Sequence, residues 1–536
     1  MNLRYFTLLL ALLAGAATAP LRAQRPGLPV VPPPDAPAQT ARTELLLEEN
    51  NSEVHVQAVP HDSTVVMLLG REKPLSGKED FVFQQYDHAL RLRQEQPLDV
   101  PKEFEFSRMC AEGSTVYALF VSQSVPGRLW VAAYNGHLAQ VRTQQYETRL
   151  SREIVDLKAL DGHLFATVLL TDQQHVTALL LDVATGQMQY LSSVYERVPT
   201  QLTFVANAAA RRAEYVLSQT NGRKSRLLLK QLTDRGQLVS SEYVQAESER
   251  SLITAQLTPP QDTTARLLMG TYSLRGLDFA QGLFATDLRP AVGARTPLKF
   301  YDFLHLKHFF DYLKPSRQAR LRRRIERRVA RSVPPLRWHY RLLLHELLPQ
   351  PDGGYVLVAE VYYPHYRYNS YGSYTGPYNS LGNQFYQNGP LSPYGNTRVF
   401  DGYQTTHALV CGFDRSGTLV WDNTFVVENL RRSNLEEAVR SQTLPDGRLV
   451  LAYLDEQKLR YKLVSRAESS PNDRHVPLQT VTGEFAAMTT ERVSNTSQGD
   501  LLPWFGSRFV AVGYQRVRVD HGKDREVFFL NSVQFK

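Results

Sequence analysis

Several short stretches contain residue types that do chemistry in other proteins, but none has the complete spacing. HELLP, residues 345–349, begins like the helix of a zinc protease and lacks the second histidine. His305 and His308 are spaced to bind a metal from one helical turn, with no third ligand in view. GSYTG does not place its serine as a nucleophile elbow does, and LSGKED lacks the upstream glycine of a phosphate loop. The sequence therefore predicts no catalytic residue, no metal site and no cofactor.

A run of arginines is the strongest charge feature. Eight arginines and one acid lie between Arg317 and Arg331, which accounts for +7 of the formal net charge of +8. A chain that is basic in one segment only is not a general binder of polyanions, and we do not expect nucleic acid as a partner. Two interpretations stay open: a solvated helix face, or contact with an anionic surface such as lipid headgroups or acidic polysaccharide. The candidate contact residues are Arg320, Arg323, Arg324, Arg327, Arg328 and Arg331.

Tyrosines are concentrated in a second segment, residues 362–404, which contains ten of the 27 tyrosines of the chain. Tyrosine offers a flat apolar face and one hydroxyl at low entropic cost, which suits sugar rings or a protein partner. The other interpretation is a flexible low-complexity loop without a ligand. The candidate ligand-binding residues are Tyr363, Tyr366, Tyr368, Tyr371, Tyr374, Tyr378, Phe385 and Tyr386.

The N-terminal segment predicts export. Residues 1–23 have a positive start and an apolar stretch of the length of a signal peptide, with cleavage after Ala23; an anchor that is retained is the alternative. Residues 24–42 are predicted to be a proline-rich linker. No later segment is apolar enough to span a membrane, so we expect no transmembrane segment in the mature chain. The expected location is the periplasm, the cell surface or the exterior of a bacterium.

A repeat in the turns predicts the architecture that positions these segments. Gly136, Gly186 and Gly236 follow one another at intervals of 50 residues, each between two short runs rich in Val, Leu, Phe and Tyr. A second series of turns, with Gly113 and Gly162, precedes them. A four-stranded unit of 45 to 50 residues is typical of a β-propeller blade. A stack of unrelated β-sandwiches is the alternative.

We therefore predict an all-β fold, with residues 43–536 forming one β-propeller of seven or eight four-stranded blades, eight being favoured. The last blade is incomplete at the C-terminus, and residues 44–50 are expected to supply its outer strand. Residues 302–335 are predicted to be a helical hairpin inserted between blades. The tyrosine-rich segment 362–404 is predicted to be a loop between two strands of one blade.

Two of the units resemble the repeat of quinoprotein-type (PQQ-like) propellers. They are ALLLDVATGQMQY, 178–190, and ALVCGFDRSGTLVW, 408–421. The repeat of that family has Ala-x-Asp-x-x-Thr-Gly followed by a docking tryptophan, and the resemblance implies that this motif locks neighbouring blades. Trp421 keeps the tryptophan of the family, and Tyr190 replaces it in the other unit. The chain lacks the adjacent cysteines of that family and any recognisable quinone or calcium site, so its enzymatic role does not carry over.

These features favour an exported, non-catalytic propeller that acts as a binding or scaffolding module for an envelope protein or glycan. The sequence leaves catalysis open. A carbohydrate-active hydrolase or lyase with its site in the propeller funnel is the alternative, and it predicts convergent carboxylates or a His-Arg-Tyr cluster there. Quinoprotein-like redox chemistry is a third hypothesis.

Overall fold

The computed structural model describes most of the chain, and nearly all of the described residues belong to the compact unit Pro37–Lys536. The described ranges are 33–47, 52–73, 78–148, 151–170, 175–196, 200–207, 211–221, 223–258, 266–274, 278–288, 297–333, 336–369, 397–428, 430–466, 470–472, 474–478, 492–518 and 524–536.

The strands form eight antiparallel sheets, which are the blades of a β-propeller. The first half of the chain contributes β1 (Ala38–Leu46), β2 (Ser52–Val59), β3 (Thr64–Lys73), β4 (Lys78–Tyr86), β5 (Leu92–Leu98), β6 (Phe104–Glu112), β7 (Thr115–Ser122), β8 (Arg128–Asn135), β9 (Gln140–Glu147), β10 (Ser151–Leu160), β11 (His163–Leu170), β12 (Val176–Asp182), β13 (Met188–Tyr190), β14 (Thr200–Asn207), β15 (Arg212–Thr220), β16 (Ser225–Thr233) and β17 (Leu238–Val244). Blades 1 to 4 take four strands each, in chain order from β2.

The second half contributes β18 (Ser251–Leu257), β19 (Leu267–Ser273), β20 (Gly282–Asp287), β21 (Lys299–Asp302), β22 (Arg341–Leu344), β23 (Leu348–Pro349), β24 (Tyr355–Asn369), β25 (Thr397–Phe413), β26 (Leu419–Val426), β27 (Arg431–Arg432), β28 (Arg440–Thr443), β29 (Leu449–Asp455), β30 (Lys458–Val464), β31 (His475–Pro477), β32 (Arg492–Pro503), β33 (Arg508–Arg518) and β34 (Arg525–Gln534). Blade 5 is β18–β21, blade 6 is β22–β27 and blade 7 is β28–β31. Blade 8 has the order β1-β34-β33-β32.

The ring closes by pairing the two ends of the chain. β1 lies antiparallel to β34, with Thr43 opposite Leu530, and so forms the outer strand of blade 8. This confirms the prediction of eight blades and of an outer strand supplied by the N-terminal part of the chain. The strand begins at Ala38, inside the stretch that the sequence suggests as a linker. Closure covers the outer edge of β34 with a strand from the other end of the chain.

The innermost strand is the first strand of the blade in blades 1 to 7 and β32 in blade 8. Innermost strands of neighbouring blades contact one another, as β2 does with β6 and β32. The second strands are buried on both faces, because a neighbouring sheet covers each side. Five consecutive residues are buried in β7 and again in β11. The repeating turns have the backbone that the sequence predicts: φ is 73° at Gly186 and 76° at Gly236, a conformation that favours glycine.

The hydrophobic core consists of clusters that each join two neighbouring blades. Phe83 of blade 1 stacks on Tyr134 of blade 2, with ring centroids 5.1 Å apart. Tyrosines on outer strands add hydrogen bonds between blades: the Tyr146 hydroxyl donates to the carbonyl oxygen of Asp182 in the next blade (2.8 Å). Tyr301 does the same at Gly417 (2.9 Å). Sheet packing and these hydrogen bonds together fix each blade against the next.

The inserted helical element lies between β21 of blade 5 and β22 of blade 6, and its one regular helix is α1 (Pro315–Ala330). The segment from Phe303 to Leu313, predicted as the first helix of a hairpin, contains a single 3-10 turn, Phe303–His305. Its apolar residues pack into blades 5 and 6 instead: the rings of Phe303 and Phe309 stack with centroids 4.2 Å apart. Tertiary packing has overridden the helical spacing here.

Blade 6 carries a long hairpin. β24 and β25 have 15 and 17 residues and stay paired beyond the edge of the blade, from Tyr363 opposite Gln404 to Asn369 opposite Thr397. We call the paired stretches 363–369 and 397–404 the arm. Part of the segment predicted as a loop is thus regular β-structure. No helix in the part of the chain that the structure describes has the length and hydrophobicity to span a lipid bilayer.

Arg42 of β1 offers a test of ring closure. Its buried guanidinium pairs with Glu44 (2.8 Å), donates to Gln515 of β33 (2.7 Å) and lies 4.8 Å from the ring centroid of Phe529 in β34. We expect Arg42→Ala to lower the free energy of unfolding by about 3 kcal/mol, measured by urea denaturation, because it removes a buried ion pair and its packing.

The matched control is Arg91→Ala. Arg91 also pairs with an aspartate, Asp87, at 2.9 Å, but 74% of its side chain is exposed. We expect this change to cost less than about 1 kcal/mol. Equal effects of the two substitutions would contradict the role of Arg42 in closing the ring.

Candidate functional site

A chain of ion pairs occupies the centre of the ring. The two oxygens of Asp500, on the inner strand of blade 8, accept from Arg440 of blade 7 and Arg432 of blade 6, each at 3.0 Å. Arg440 also pairs with Glu437 (3.4 Å). Burial raises the pKa of Asp500, but the two arginines outweigh it and hold the pKa below its usual value. This carboxylate therefore stays ionised and is a weak proton acceptor.

The chain of charges continues into the interior at His345 and Glu360. One oxygen of Glu360 accepts from the His345 Nε2 and from the backbone N–H groups of Ala438 and Val439, all at 2.8 Å. His345 Nδ1 lies 4.0 Å from Glu437. Burial lowers the pKa of His345, but Glu437 and Glu360 outweigh it, so the pKa is raised and the imidazolium is favoured. The ion pair lies within blade 6, and the backbone N–H groups of Ala438 and Val439 tie its carboxylate to the start of blade 7.

Two further ion pairs cross the channel. Lys158 on the inner strand of blade 3 pairs with Glu346 of blade 6 at 3.0 Å. Arg108 of blade 2 lies 3.8 Å from Glu436, in the connection between blades 6 and 7. Because neither pair joins neighbouring parts of the ring, these side chains must reach across the channel. The centre of the ring is therefore bridged by charged residues that already have partners.

Two clefts lie beside these residues and share Glu436 and Gln498 in their walls. One, of about 480 Å³, is lined by Arg431 and Arg432 among others. The other, of about 320 Å³, contains His55, whose ring stacks on that of Phe106 with centroids 3.5 Å apart. Carboxylates thus converge beside open space. Within the described ranges, no three His, Cys, Asp or Glu side chains are arranged to hold a metal ion.

The arm rises next to the larger cleft. β27, which contributes Arg431 and Arg432 to that cleft, pairs with β25 at Gln404 and Tyr403. Gly402 makes the contact feasible: its φ is 97°, and a Cβ there would lie 2.3 Å from the Arg432 carbonyl oxygen. The base of the arm and the ion pairs of the channel therefore share one short strand.

Aromatic rings follow the arm. Tyr366 and Phe400 lie on opposite strands in an edge-to-face pair at 5.8 Å, and Phe400 contacts Tyr403 at 5.1 Å. Tyr362 extends the series, 5.7 Å from Tyr403. Cross-strand aromatic pairs of this kind stabilise a two-stranded ribbon. Asp401 lies on the same strand as Phe400, and its carboxylate is 3.4 Å from the ring of His365.

A buried histidine lies on β25 just after the base of the arm. His407 of β25 is fully buried, and its ring is stacked on that of Tyr312 at 4.0 Å. The Tyr312 hydroxyl is 2.7 Å from that of Tyr340. Burial lowers the pKa of His407 to about 3, so the imidazole is neutral in the folded protein at ordinary pH.

The structure places part of the predicted tyrosine set. Tyr363, Tyr366 and Tyr368 lie on β24 within the arm, and 37% of Tyr363 is exposed. Burial, with Tyr312 nearby, raises the pKa of Tyr363 to about 12. The other candidates lie outside the described residues: Tyr371, Tyr374, Tyr378, Phe385 and Tyr386.

Most of the predicted arginine set lies on α1, with Arg331 one residue beyond its end. Arg320, Arg323, Arg324 and Arg327 are exposed. None of these four forms an ion pair with a described residue of the arm, so they do not join the two predicted surfaces. Arg328 is partly buried and also lies in the helix.

The ion pairs of the channel were missed by sequence reasoning because their members come from different blades. One signal was present: RRSNLEEAVR, 431–440, places Arg432, Arg440, Glu436 and Glu437 within ten residues, in the connection between blades 6 and 7. His345 belongs to the stretch HELLP. That stretch is not a helix, and its histidine pairs with Glu360.

Comparisons with known proteins bear on the fold alone. No family model matches the chain, and no curated protein matches it. Similar solved structures include polysaccharide lyase Uly1 (TM-score 0.38, 6% identity, 80% of this chain and 89% of that one). They also include the β-propeller domain of the Trilobed protease from Pyrococcus furiosus (0.35, 7%, 81% and 100%) and the Dos1 propeller (0.33, 10%, 79% and 89%). At such identities no activity is carried over.

Asp500→Asn tests whether the channel charges are structural. The change leaves Arg432 and Arg440 without their shared carboxylate, so we expect the free energy of unfolding to fall by about 2 kcal/mol in urea denaturation. The control is Asp446→Asn, at an exposed pair with Arg448 (2.6 Å), for which we expect less than about 1 kcal/mol. If Asp500→Asn costs no more than the control, the channel pairs do not stabilise the ring.

His407→Phe tests the base of the arm. Between about pH 6.5 and pH 3 the unfolded chain protonates this histidine and the folded protein does not, so the free energy of unfolding falls as the pH falls. From pH 7 to pH 5 we expect the native protein to lose about 2 kcal/mol more than His407→Phe does. Parallel pH curves in denaturant titrations would contradict a neutral, buried His407.

Proposed function

We propose that this protein is an exported, non-catalytic β-propeller that acts as a binding or scaffolding module in the cell envelope, with the arm as its main contact surface. One observation carries the proposal. The charged residues at the centre of the ring form ion pairs with one another, whereas the arm extends past its blade and carries aromatic rings.

The arm suits a partner with flat apolar faces and hydroxyl groups. The edge-to-face pairs fix the orientation of Tyr366 and Phe400, so little side-chain entropy is lost on binding. Asp401 and His365 add a polar pair on the same ribbon. Sugar rings and protein side chains both match this combination, and we propose an envelope glycan or an envelope protein as the partner.

Export belongs to the same proposal. Residues 1–23 would be a signal peptide and the following residues a linker that ends before β1 at Ala38, where the propeller begins; its insertions are 302–335 and 362–404. The two cysteines are free and buried, Cys110 in blade 2 and Cys411 in blade 6. Burial raises the pKa of Cys110 to about 12, so this thiol is unreactive. The fold therefore needs no disulfide in either an oxidising or a reducing compartment.

A carbohydrate-active hydrolase or lyase in the funnel is the second candidate. The observation in its favour is that Glu436, Glu437 and Asp500 converge at the channel, beside the two clefts. Glycoside hydrolysis needs one carboxyl group as acid and another as base or nucleophile. The ion pairs of Asp500 with Arg432 and Arg440 argue against that use, because they hold its pKa low.

A thermal-shift screen separates the two candidates. The chain from residue 24 would be tested with envelope glycans, acidic polysaccharides, anionic lipid headgroups, calcium and quinone. A ligand at 100 times its Kd stabilises the folded state by about 2.7 kcal/mol, which the shift reveals. If a glycan binds and is not cleaved, the result supports the binding module. If the bound glycan is cleaved, the result supports the carbohydrate-active enzyme. A spectrum of bound quinone in protein purified from its host would support redox chemistry.

Tyr363→Ala combined with Tyr366→Ala tests the arm directly. We expect the affinity for the glycan or envelope protein found in the screen to fall roughly tenfold or more, since exposed aromatic residues at the centre of a contact contribute most of its energy. The control is Tyr243→Ala, on the outer strand of blade 4, where 55% of the tyrosine is exposed. An unchanged Kd in the double variant would refute the arm as the contact surface.

A further inference from the structure

The arginines of α1 are arranged in a line. Arg317, Arg320, Arg324, Arg327 and Arg331 stand at positions i, i+3, i+7, i+10 and i+14, which is the spacing of one face of a helix. All five are exposed. Fourteen residues at a rise of about 1.5 Å each give a row of guanidinium groups roughly 21 Å long.

This row has no counter-charge within the part of the chain that the structure describes. None of the five arginines forms an ion pair with a described side chain. Among the described residues, Arg320 Nε donates a hydrogen bond to the carbonyl oxygen of Ser316, within the same helix (3.3 Å). The single acid of the helix, Glu326, is at position i+9 and lies off the row. Five positive charges are therefore held side by side in solvent.

The arrangement costs the helix stability. Like charges at i, i+3 and i+4 repel one another. The first turn has no acid, and it places Arg317 near the positive end of the helix dipole, where a cation is unfavourable. A helix whose only role was to fold would have acids at these positions. The repulsion is relieved once an anion lies along the row.

The protein nevertheless holds α1 in a fixed place. The side-chain amide of Gln318 donates to the carbonyl oxygens of Phe310 (2.9 Å) and Leu313 (3.2 Å), in the segment that packs into blades 5 and 6. The carboxylate of Asp422, on β26 of blade 6, accepts from the backbone N–H groups of Lys307 (3.0 Å) and His308 (2.6 Å). The row is thus presented in a defined orientation rather than on a free tail.

From this geometry we infer that α1 is a binding site for a linear acidic polysaccharide, whose carboxylate or sulfate groups lie along the row of arginines. Guanidinium groups bind such anions through charge-assisted hydrogen bonds. This second surface does not depend on the function of the arm.

Two features favour this ligand over other polyanions. A bilayer needs an apolar helix face beside the basic one, but Leu321 and Ile325 are half-buried and are not available for insertion. Outside residues 317–331 the net charge is about +1, so the rest of the chain adds little net positive charge to attract the backbone of a nucleic acid. A single row of arginines matches one extended, anionic chain.

The test measures binding of the chain from residue 24 to immobilised heparin and alginate, with neutral dextran as the blank, over a range of salt concentrations. Arg320→Gln with Arg324→Gln removes two members of the row. We expect this variant to bind roughly tenfold more weakly and to show a shallower dependence of log Kd on log salt. Glutamine keeps the helix, because its propensity is close to that of arginine.

The matched control is Arg322→Gln with Arg337→Gln, which removes the same charge from the opposite side of α1 and from the exposed chain beyond it. We expect it to weaken binding by less than about threefold. Circular dichroism and thermal melting establish that both variants are folded. Equal loss in the two variants, or no binding to either acidic polysaccharide, would overturn the inference. Binding only to vesicles that contain anionic phospholipid, or only to duplex DNA, would overturn it too.

Discussion

The pairing of β1 with β34 is the contact on which the rest of the structure depends. Each blade is a sheet with two apolar faces, and each face is buried only if a neighbouring blade covers it. An open row of eight blades would leave two such faces in water. Joining the ends of the chain in blade 8 covers them, pairs the outer edge of β34 with β1 and brings the inner strands into one ring. Residues that are far apart in sequence, such as Arg108 and Glu436, then meet at the centre.

The charged residues that meet at the centre of the ring bear on function. Charged groups in a channel are either free to act on a ligand or paired with one another, and here Asp500, Glu360 and Glu346 all have cationic partners within 3.0 Å. These ion pairs hold parts of the ring together and leave the carboxylates without a free oxygen pair for a reaction. The insertions differ from the channel in this respect. The arm and α1 both come from the region of blades 5 and 6, and they add two surfaces of different chemistry to the ring. One is aromatic, and the other is cationic.

Local signals predicted the architecture well. The glycines of the repeating turns must adopt positive φ, so their spacing of 50 residues reveals the blade period, and Gly186 and Gly236 show it. Alternation between turns and short apolar runs gave the strands. Local sequence patterns did not predict the structure where contacts between distant residues determine it. Phe303, Leu306, Phe310 and Leu313 have helical spacing, but packing into two blades leaves one 3-10 turn. The channel pairs join residues up to 328 positions apart, as in Arg108 and Glu436, and no local pattern encodes them.

The central claim is that ligands meet the arm and not the channel. Hydrogen–deuterium exchange of the chain from residue 24, with and without the glycan or envelope protein that gives the largest thermal shift, tests it most directly. We expect slower exchange in 362–369 and 397–404, with no change in 430–440 and 496–502. Slower exchange in the two channel segments, with the arm unchanged, would contradict it and would return the search for function to the centre of the ring.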